Sequence, residues 1–203
     1  MEYNNYKNPN AGNNYYGLPR LKLAKYVCNK ILNKLNLNWF IENGTLLGAW
    51  RNNKFIKHDD DFDVGMIINS KDDIIKIHDK IKDNLPNYYD LRIIDTYCNK
   101  IEIFDASYGK YNLLGPKYNN SDYHYVTLDL QFYLIENEKC IQLYNISPSK
   151  VIIDIDNILP TNKILLENNY FNCPNNIDKF LKAHYGSLSE TAKYCEKTGK
   201  YIE

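Results

Sequence analysis

Four aspartates stand within five positions, and the chain enters an apolar segment directly after them. They are Asp59, Asp60, Asp61 and Asp63. Alternation of polar and apolar residues predicts a strand over about 61–68, on which Asp61 and Asp63 share one face. Two carboxylates about 4 Å apart repel by about 4 kcal/mol at an effective dielectric constant of about 20. Such a pair is expected to hold a proton or a cation between them, and a hard divalent ion is the natural candidate.

The rest of the composition predicts one globular domain. The 203 residues form a polar, flexible arm over 1–17 and a single domain over 18–203. The formal net charge is zero, which disfavours nucleic acid as a partner. No signal peptide or membrane span is visible, so a soluble cytoplasmic protein is expected. Five cysteines without a CxxC pair argue against a disulfide framework or a zinc site.

Hydrophobic periodicity and capping residues predict alternating helices and strands. Helices are predicted over about 19–37, 45–51 and 70–84, and from Asn175 or Asn176 to Gly186. Strands are predicted over about 38–42, 61–68, 91–95, 101–105 and 123–135, and residues 163–173 form a hairpin with an Asn-Asn turn. Residues 108–122 are rich in glycine and asparagine, which predicts a mobile loop that can act as a lid.

The predicted strand over 123–135 carries another candidate ligand. Its apolar residues fall on one face, while Thr127, Asp129, Gln131 and Tyr133 fall on the other. If this strand lies beside the strand over 61–68, Asp129 completes a three-carboxylate site with Asp61 and Asp63.

The acid cluster also allows three other interpretations. A solvated acidic loop is the ordinary meaning of a charge run. An EF-hand loop fails, because Val64 stands where the motif needs glycine and Ser70 where it needs a bidentate glutamate. A DxD sugar-nucleotide site is disfavoured, because such folds place the motif after a long nucleotide-binding half and only about sixty residues precede it here.

Several segments together resemble a known family. They are GTLLGAWR over 44–51, DDDFDV over 59–64 and VTLDLQFY over 126–133, followed by LP, NCP and FLKAHYG. Their order and spacing are similar to the nucleotidyltransferase superfamily and, within it, to the LicD/fukutin family. The resemblance implies an α/β (α+β) fold, in which a small mixed sheet is flanked by helices and followed by a C-terminal hairpin and helix.

The resemblance also implies an activity. Members transfer a phosphorylated alcohol, of the phosphocholine or ribitol phosphate type, from a CDP-activated donor to a glycan hydroxyl with Mg²⁺ or Mn²⁺. On this basis Asp61, Asp63 and Asp129 are the expected metal ligands and catalytic residues, together with Arg51 as a catalytic cation. Gly44, Thr45 and Arg51 are expected to bind the donor, through close backbone approach, a backbone amide and charge neutralisation.

One departure from the family pattern lies directly before the acids. The usual Pro-Trp is replaced by Lys57-His58, which removes an apolar wall and adds a cation. His58 can act as a general base near neutral pH, or as an ion-pair partner on the surface. Two alternative functions therefore stay open: transfer of a nucleoside monophosphate to a small acceptor, and a nucleotide- or metal-binding module without catalysis.

Overall fold

The computed structural model describes residues 14–94, 99–108, 110–112, 122–124, 126–143, 150–189 and 191–203. They form the expected α+β architecture, a mixed sheet with helices around it and a C-terminal hairpin and helix. Its helices are α1 (Asn14–Tyr26), which continues as a π-helical segment (Val27–Leu32), α2 (Asn43–Asn52), α3 (Asp73–Lys82) and α4 (Ile177–Tyr185). The predicted fold class is confirmed.

The strands of the main sheet are β1 (Trp39–Ile41), β2 (Asp63–Ile68), β3 (Asp90–Ile94), β4 (Lys100–Phe104), β7 (Thr127–Glu136), β8 (Lys139–Gln142) and β9 (Ile152–Asp154). Their order is β1-β2-β7-β4-β3, and β8 pairs with both β7 and β9. Strands β2 and β7 are parallel, whereas the other pairs are antiparallel. The long central strand β7 therefore lies directly beside the strand that follows the acid cluster.

Burial explains why β2 and β7 occupy the centre of the sheet. Alternate side chains of β7, including Leu128, Leu130 and Phe132, are fully buried. At Gly65 a Cβ atom would lie 2.4 Å from the ring of Phe40, so only glycine lets that ring pack across β2. Both faces of these strands are covered, and the polar residues that face inward must find partners inside the protein.

The predicted capping box of α3 is present only in part, whereas the predicted cap of α4 is confirmed. Asp73 accepts a hydrogen bond from the N–H of Ser70 at 3.0 Å, but α3 begins at Asp73 and its N-cap residue, Asp72, makes no side-chain cap hydrogen bond. The side chain of Asn176 accepts from the N–H of Lys179 at 3.1 Å, and α4 ends at Gly186, where φ is +79°. Helix α1 begins at Asn14 rather than near Pro19, because Tyr16 already packs against the core.

The C-terminal hairpin is formed by β10 (Asn162–Leu166) and β11 (Asn169–Cys173). Its turn consists of Glu167 and Asn168, both with positive φ, so the prediction of an Asn-Asn turn was wrong by one residue. Glu167 tolerates this conformation because its N–H donates to Asn53 O and its carboxylate accepts from Phe55 N. A second hairpin, β12 (Lys193–Cys195) with β13 (Lys200–Ile202), was not predicted.

The predicted lid falls largely outside the described residues, which omit 109 and 113–121. Its two ends pair as short antiparallel strands, β5 (Lys110–Asn112) and β6 (Asp122–His124). The sequence predicted irregular structure at β5 and one strand over 123–135, whereas β6 and β7 are separate strands. Residues 1–13 of the predicted arm also lie outside the described part. Among the helices of the described residues, none is long and apolar enough to cross a membrane.

Candidate metal centre

Asp63 and Asp129 lie side by side on neighbouring parallel strands. The register of β2 and β7 pairs the two residues directly, so their side chains leave the same face of the sheet. The exposed fraction is 5% for Asp63 and 3% for Asp129. Asp63 is held on three sides: its N–H donates to Thr45 Oγ1 at 2.9 Å, and its Oδ1 accepts from Gln131 Nε2 at 3.0 Å and Asn43 Nδ2 at 3.5 Å.

Asp61 joins this pair although β2 begins two residues after it. Phe62 already makes ladder hydrogen bonds to β7, with its N–H donating to Thr127 O and its carbonyl accepting from Asp129 N. The extended backbone therefore places Asp61 on the side of Asp63. One carboxylate oxygen each from Asp61, Asp63 and Asp129 lie within 4.8 Å of one another. The structure thus brings together the three acids that the sequence singled out.

Burial and the nearby negative charges shift the pKa of Asp63. Burial is the largest cause, followed by repulsion from Asp61 and Asp59, and together they raise the pKa of Asp63 well above its ordinary value. The charged form of such a buried carboxyl group is costly without a partner, and a bound cation would offset this cost. Three carboxylate oxygens within 4.8 Å of one another form a group that could hold a metal ion, and oxygen donors match the ligand preference of Mg²⁺ and Mn²⁺.

Lys100 also enters this cluster from β4. Its Nζ forms an ion pair with Asp129 Oδ2, and its side chain is 14% exposed. Burial lowers the pKa of Lys100, but attraction to Asp129 and Glu102 outweighs burial, and the pKa lies above its ordinary value. The ammonium group is therefore charged at every physiological pH.

Glu42 is a further buried acid, placed between β1 and α2. Its Oε2 accepts a hydrogen bond from the hydroxyl of Tyr133, whose oxygen lies 2.9 Å from His184 Nε2. Its Oε1 is buried and has no hydrogen-bond partner among the described residues. Burial raises the pKa of Glu42 to about 8; the Tyr133 hydrogen bond opposes this shift, and repulsion from Asp129 adds to it. Burial lowers the pKa of His184 to about 3, so its ring is neutral.

The raised pKa of Glu42 predicts a pH-dependent stability in the absence of divalent ions. Between the ordinary value of 4.5 and about 8, the folded chain keeps a proton that the unfolded chain has lost. The contribution of Glu42 to stability should therefore fall as pH rises through this window, by on the order of a few kcal/mol. In EDTA, Glu42→Gln should match the wild-type Tm at pH 5 and exceed it at pH 9. Parallel curves for the two proteins would contradict a buried, protonated Glu42.

A buried arginine supports the loop that carries the acids. Arg20 of α1 is fully buried, its Nη1 donates to the carbonyl of Asp59 at 3.0 Å, and its guanidinium lies 5.8 Å from the centre of the Phe55 ring. Asp60 is also buried, and Asp59, Asp60 and Asp61 form a second group of acids with oxygens within 4.8 Å of one another. The acid loop therefore depends on α1 as well as on β2.

Two of the residues expected to bind the donor have structural roles here. At Gly44 a Cβ atom would lie 2.6 Å from Asp59 Oδ1, so this glycine lets the helix start approach the acid loop. Thr45 is buried and holds the backbone of Asp63 through its hydroxyl. The first intrahelical hydrogen bond of α2 runs from Leu46 N to Glu42 O. The N–H of Thr45 comes before this bond, so it belongs to the N–H groups at a helix start that have no acceptor within the helix.

Arg51 lies at the other end of α2. It follows Gly44 by seven positions, which corresponds to about 10 Å along the helix axis. Arg51 is exposed and lines an open pocket with Lys54 and Lys57. Lys57 and His58 form an exposed turn directly before the acids. The structure therefore groups Asp61, Asp63 and Asp129 and places Arg51 about two helical turns from Gly44.

Sequence reasoning did not single out Glu42, Lys100 or Arg20. The alternation of Lys100, Glu102 and Phe104 with Ile101 and Ile103 carried a signal, because it assigns both charged residues to one face of β4. Glu42 stands directly between the apolar strand β1 and the glycine turn, a position in which a charge has little access to water.

The chain matches a known protein family. A family model described as LicD/FKTN/FKRP, nucleotidyltransferase domain, matches residues 36–176, which is more than half of the chain. The matched range contains all three acids of the cluster and excludes α1. No curated protein matches the chain.

Proposed function

This chain belongs to the LicD/FKTN/FKRP family, and we propose on that basis that it transfers a phosphorylated alcohol from a CDP-linked donor to a hydroxyl of a glycan. Family membership indicates a transferase with a phosphotransferase-type function on glycans. The proposal adds the CDP-linked donor, an alcohol of the phosphocholine or ribitol phosphate type, and the site residues.

The observation that carries the proposal is the arrangement of Asp61, Asp63 and Asp129. Three carboxylates converge on one point from two neighbouring strands, and Thr45 and Gln131 fix the position of Asp63. These oxygen donors suit Mg²⁺ or Mn²⁺, and we assign them as its ligands. When bound, the ion would neutralise charge on the diphosphate of the donor, which is the main requirement of phosphoryl transfer.

The proposed reaction exchanges one phosphorus–oxygen bond for another. A hydroxyl oxygen of the glycan attacks the phosphorus atom that carries the alcohol, and a new P–O bond forms. The bond from this phosphorus to the bridging oxygen of the diphosphate breaks, CMP leaves with the electron pair, and the hydroxyl proton passes to water. In this scheme the Gly44 and Thr45 backbone and the Arg51 guanidinium bind the donor, with Arg51 contacting its part farther from the acids.

The description of the matching family also supports a second candidate function. A nucleotidyltransferase domain can transfer a nucleoside monophosphate from a triphosphate to a small acceptor, with pyrophosphate as the leaving group. The same three carboxylates serve that reaction, so the site alone does not discriminate between the two. The leaving group distinguishes them, because the first reaction releases CMP and the second releases pyrophosphate.

A panel of donors distinguishes the candidates. The purified protein is incubated with CDP-, UDP- and ADP-linked alcohols, or with nucleoside triphosphates, in the presence of Mn²⁺ and a glycan acceptor. CMP released only in the presence of acceptor is the expected result. Pyrophosphate released from a triphosphate would instead support nucleotidyl transfer. Saturable nucleotide binding without any product would overturn both and indicate a binding module.

A further inference from the structure

Lys100 places a permanent positive charge on one of the proposed metal ligands. Its Nζ contacts Asp129 Oδ2 directly, and its side chain is largely buried. The antiparallel register of β4 and β7 pairs Glu102 with Asp129 and Lys100 with Gln131, the residue that also binds Asp63. The ammonium group therefore lies within the acid cluster itself.

The charged residues around Lys100 explain why it pairs with Asp129 rather than with Glu102. Glu102, on the same face of β4, already forms an ion pair with Arg92. Asp61 adds to the negative field around the ammonium group. A lysine is suited to such a position if it must change partners, because its charge sits on a flexible four-carbon stem with three rotatable donors.

We propose that Lys100 competes with the divalent ion for Asp129 and, once ion and donor are bound, contacts an anionic phosphate oxygen of the donor. This inference rests on the proposed function, because it takes Asp129 as a metal ligand. A lysine ammonium and a divalent ion on the same carboxylate repel each other, so binding of the ion weakens the hold of Asp129 on Lys100. The diphosphate brings negative charge to the same point and offers the ammonium group a new partner.

This competition couples the two ligands. Without a nucleotide, Lys100 weakens binding of the ion, whereas with a nucleotide Lys100 and the ion bind the same diphosphate. Each ligand must therefore increase the affinity for the other, since such coupling is reciprocal. A purely structural ion pair gives no coupling of this kind.

The test uses titration calorimetry on wild type and on Lys100→Gln to measure two affinities: the Kd of Mn²⁺ without nucleotide, and the Kd of CDP, the probe, at saturating Mn²⁺. Lys100→Gln should bind Mn²⁺ about tenfold more tightly without CDP. In the presence of Mn²⁺ it should bind CDP about tenfold more weakly. Lys139→Gln is the matched control, because Lys139 also pairs with an acid on an adjacent antiparallel strand, Asp154, at an exposed position. This control should leave both affinities unchanged.

The possible outcomes separate the inference from the proposed function. Failure of wild type to bind Mn²⁺ would overturn the metal centre and the inference together. Mn²⁺ binding in wild type with equal or weaker binding in Lys100→Gln would overturn the inference alone. A structural role of Lys100 would weaken the affinity for both Mn²⁺ and CDP, rather than move them in opposite directions.

A measurement on the wild-type protein covers the case in which Lys100→Gln does not fold. With ¹³Cε-labelled lysine, and Lys100→Arg to assign the signal, the Lys100 resonance should shift as Mg²⁺ is added and shift again on addition of CDP. The Lys139 resonance should stay in place. A Lys100 signal that does not move while Mg²⁺ binds would overturn the proposal.

Discussion

Excess EDTA should abolish the transferase activity, and Mg²⁺ or Mn²⁺ added back should restore it. The expectation follows from the three carboxylates that converge on one point, since a negatively charged diphosphate cannot approach Asp61, Asp63 and Asp129 without a compensating cation. Lys100 supplies one positive charge there, which is too little to balance the three acids and a diphosphate. CMP release is measured before chelation, in EDTA and after metal is restored.

A thermal melt in EDTA is the control for this experiment. The core is formed by apolar residues of the sheet and helices, so the protein should keep a cooperative transition without metal. Undiminished activity in excess EDTA would contradict the metal centre. Loss of both activity and the folding transition would instead indicate that the ion has a structural role.

Local sequence patterns predicted the elements that form the site. The alternation in β7 placed Asp129 on its polar face, and the Gly-Thr turn predicted the start of α2. Both predictions were confirmed because side-chain period and turn chemistry act over a few residues. The sequence predicted the three-carboxylate site only on the condition that β2 lies beside β7, and it did not predict that pairing. Nothing in either strand specifies its neighbour, and the structure supplies that contact over a separation of 66 residues, from Asp63 to Asp129.

Contacts between distant segments account for what the sequence did not predict. Lys100 meets Asp129 across 29 residues, and Arg20 meets the Asp59 carbonyl across 39. The turn at Glu167 was misplaced for the same reason, because its conformation is fixed by hydrogen bonds to Asn53 and Phe55 rather than by local propensity. Charged residues inside the fold find partners that hydrophobic periodicity does not encode.

Replacing any one of the three grouped acids should lower the reaction rate far more than replacing the neighbouring Asp60. Asp61→Asn, Asp63→Asn and Asp129→Asn should each lower the rate by at least about 100-fold, or about 2.7 kcal/mol, because each removes charge where the transition state needs it. Asp60→Asn should cost much less. The reason is that Asp60, although buried, does not belong to the group of oxygens formed by Asp61, Asp63 and Asp129.

Rates are measured with saturating Mn²⁺, and Asp154→Asn is the matched control. Asp154 is an exposed acid on β9 that pairs with Lys139, so its replacement makes the same chemical change away from the cluster. Its activity should stay at the wild-type level. If Asp60→Asn proves as damaging as Asp61→Asn, the metal binds at the group of Asp59, Asp60 and Asp61 instead.

In EDTA, the change in Tm relative to wild type should be positive for some of these variants and negative for another. Asp63→Asn should melt higher than wild type, because burial and neighbouring acids raise the pKa of Asp63 and make its charge costly at neutral pH. The effect of Asp61→Asn should have the same sign, since it removes one of those acids. Asp129→Asn should melt lower, because it leaves the buried ammonium of Lys100 without its ion-pair partner. In a chain of this size, 1 kcal/mol moves the Tm by about 2–4 °C, so both shifts are measurable.

The signs of the two measurements identify the role of Asp61 and Asp63, whereas Asp129→Asn should lose both activity and stability because Asp129 also pairs with the buried Lys100. A residue that only stabilises the fold loses stability and activity together when it is replaced. A residue that holds its charge for a ligand loses activity and gains stability once the charge is gone, because the folded chain no longer bears the repulsion. Asp63 should behave in the second way. If Asp63→Asn melts lower than wild type in EDTA, its hydrogen bonds to Gln131 and Asn43 outweigh the repulsion, and its assignment as a metal ligand is wrong.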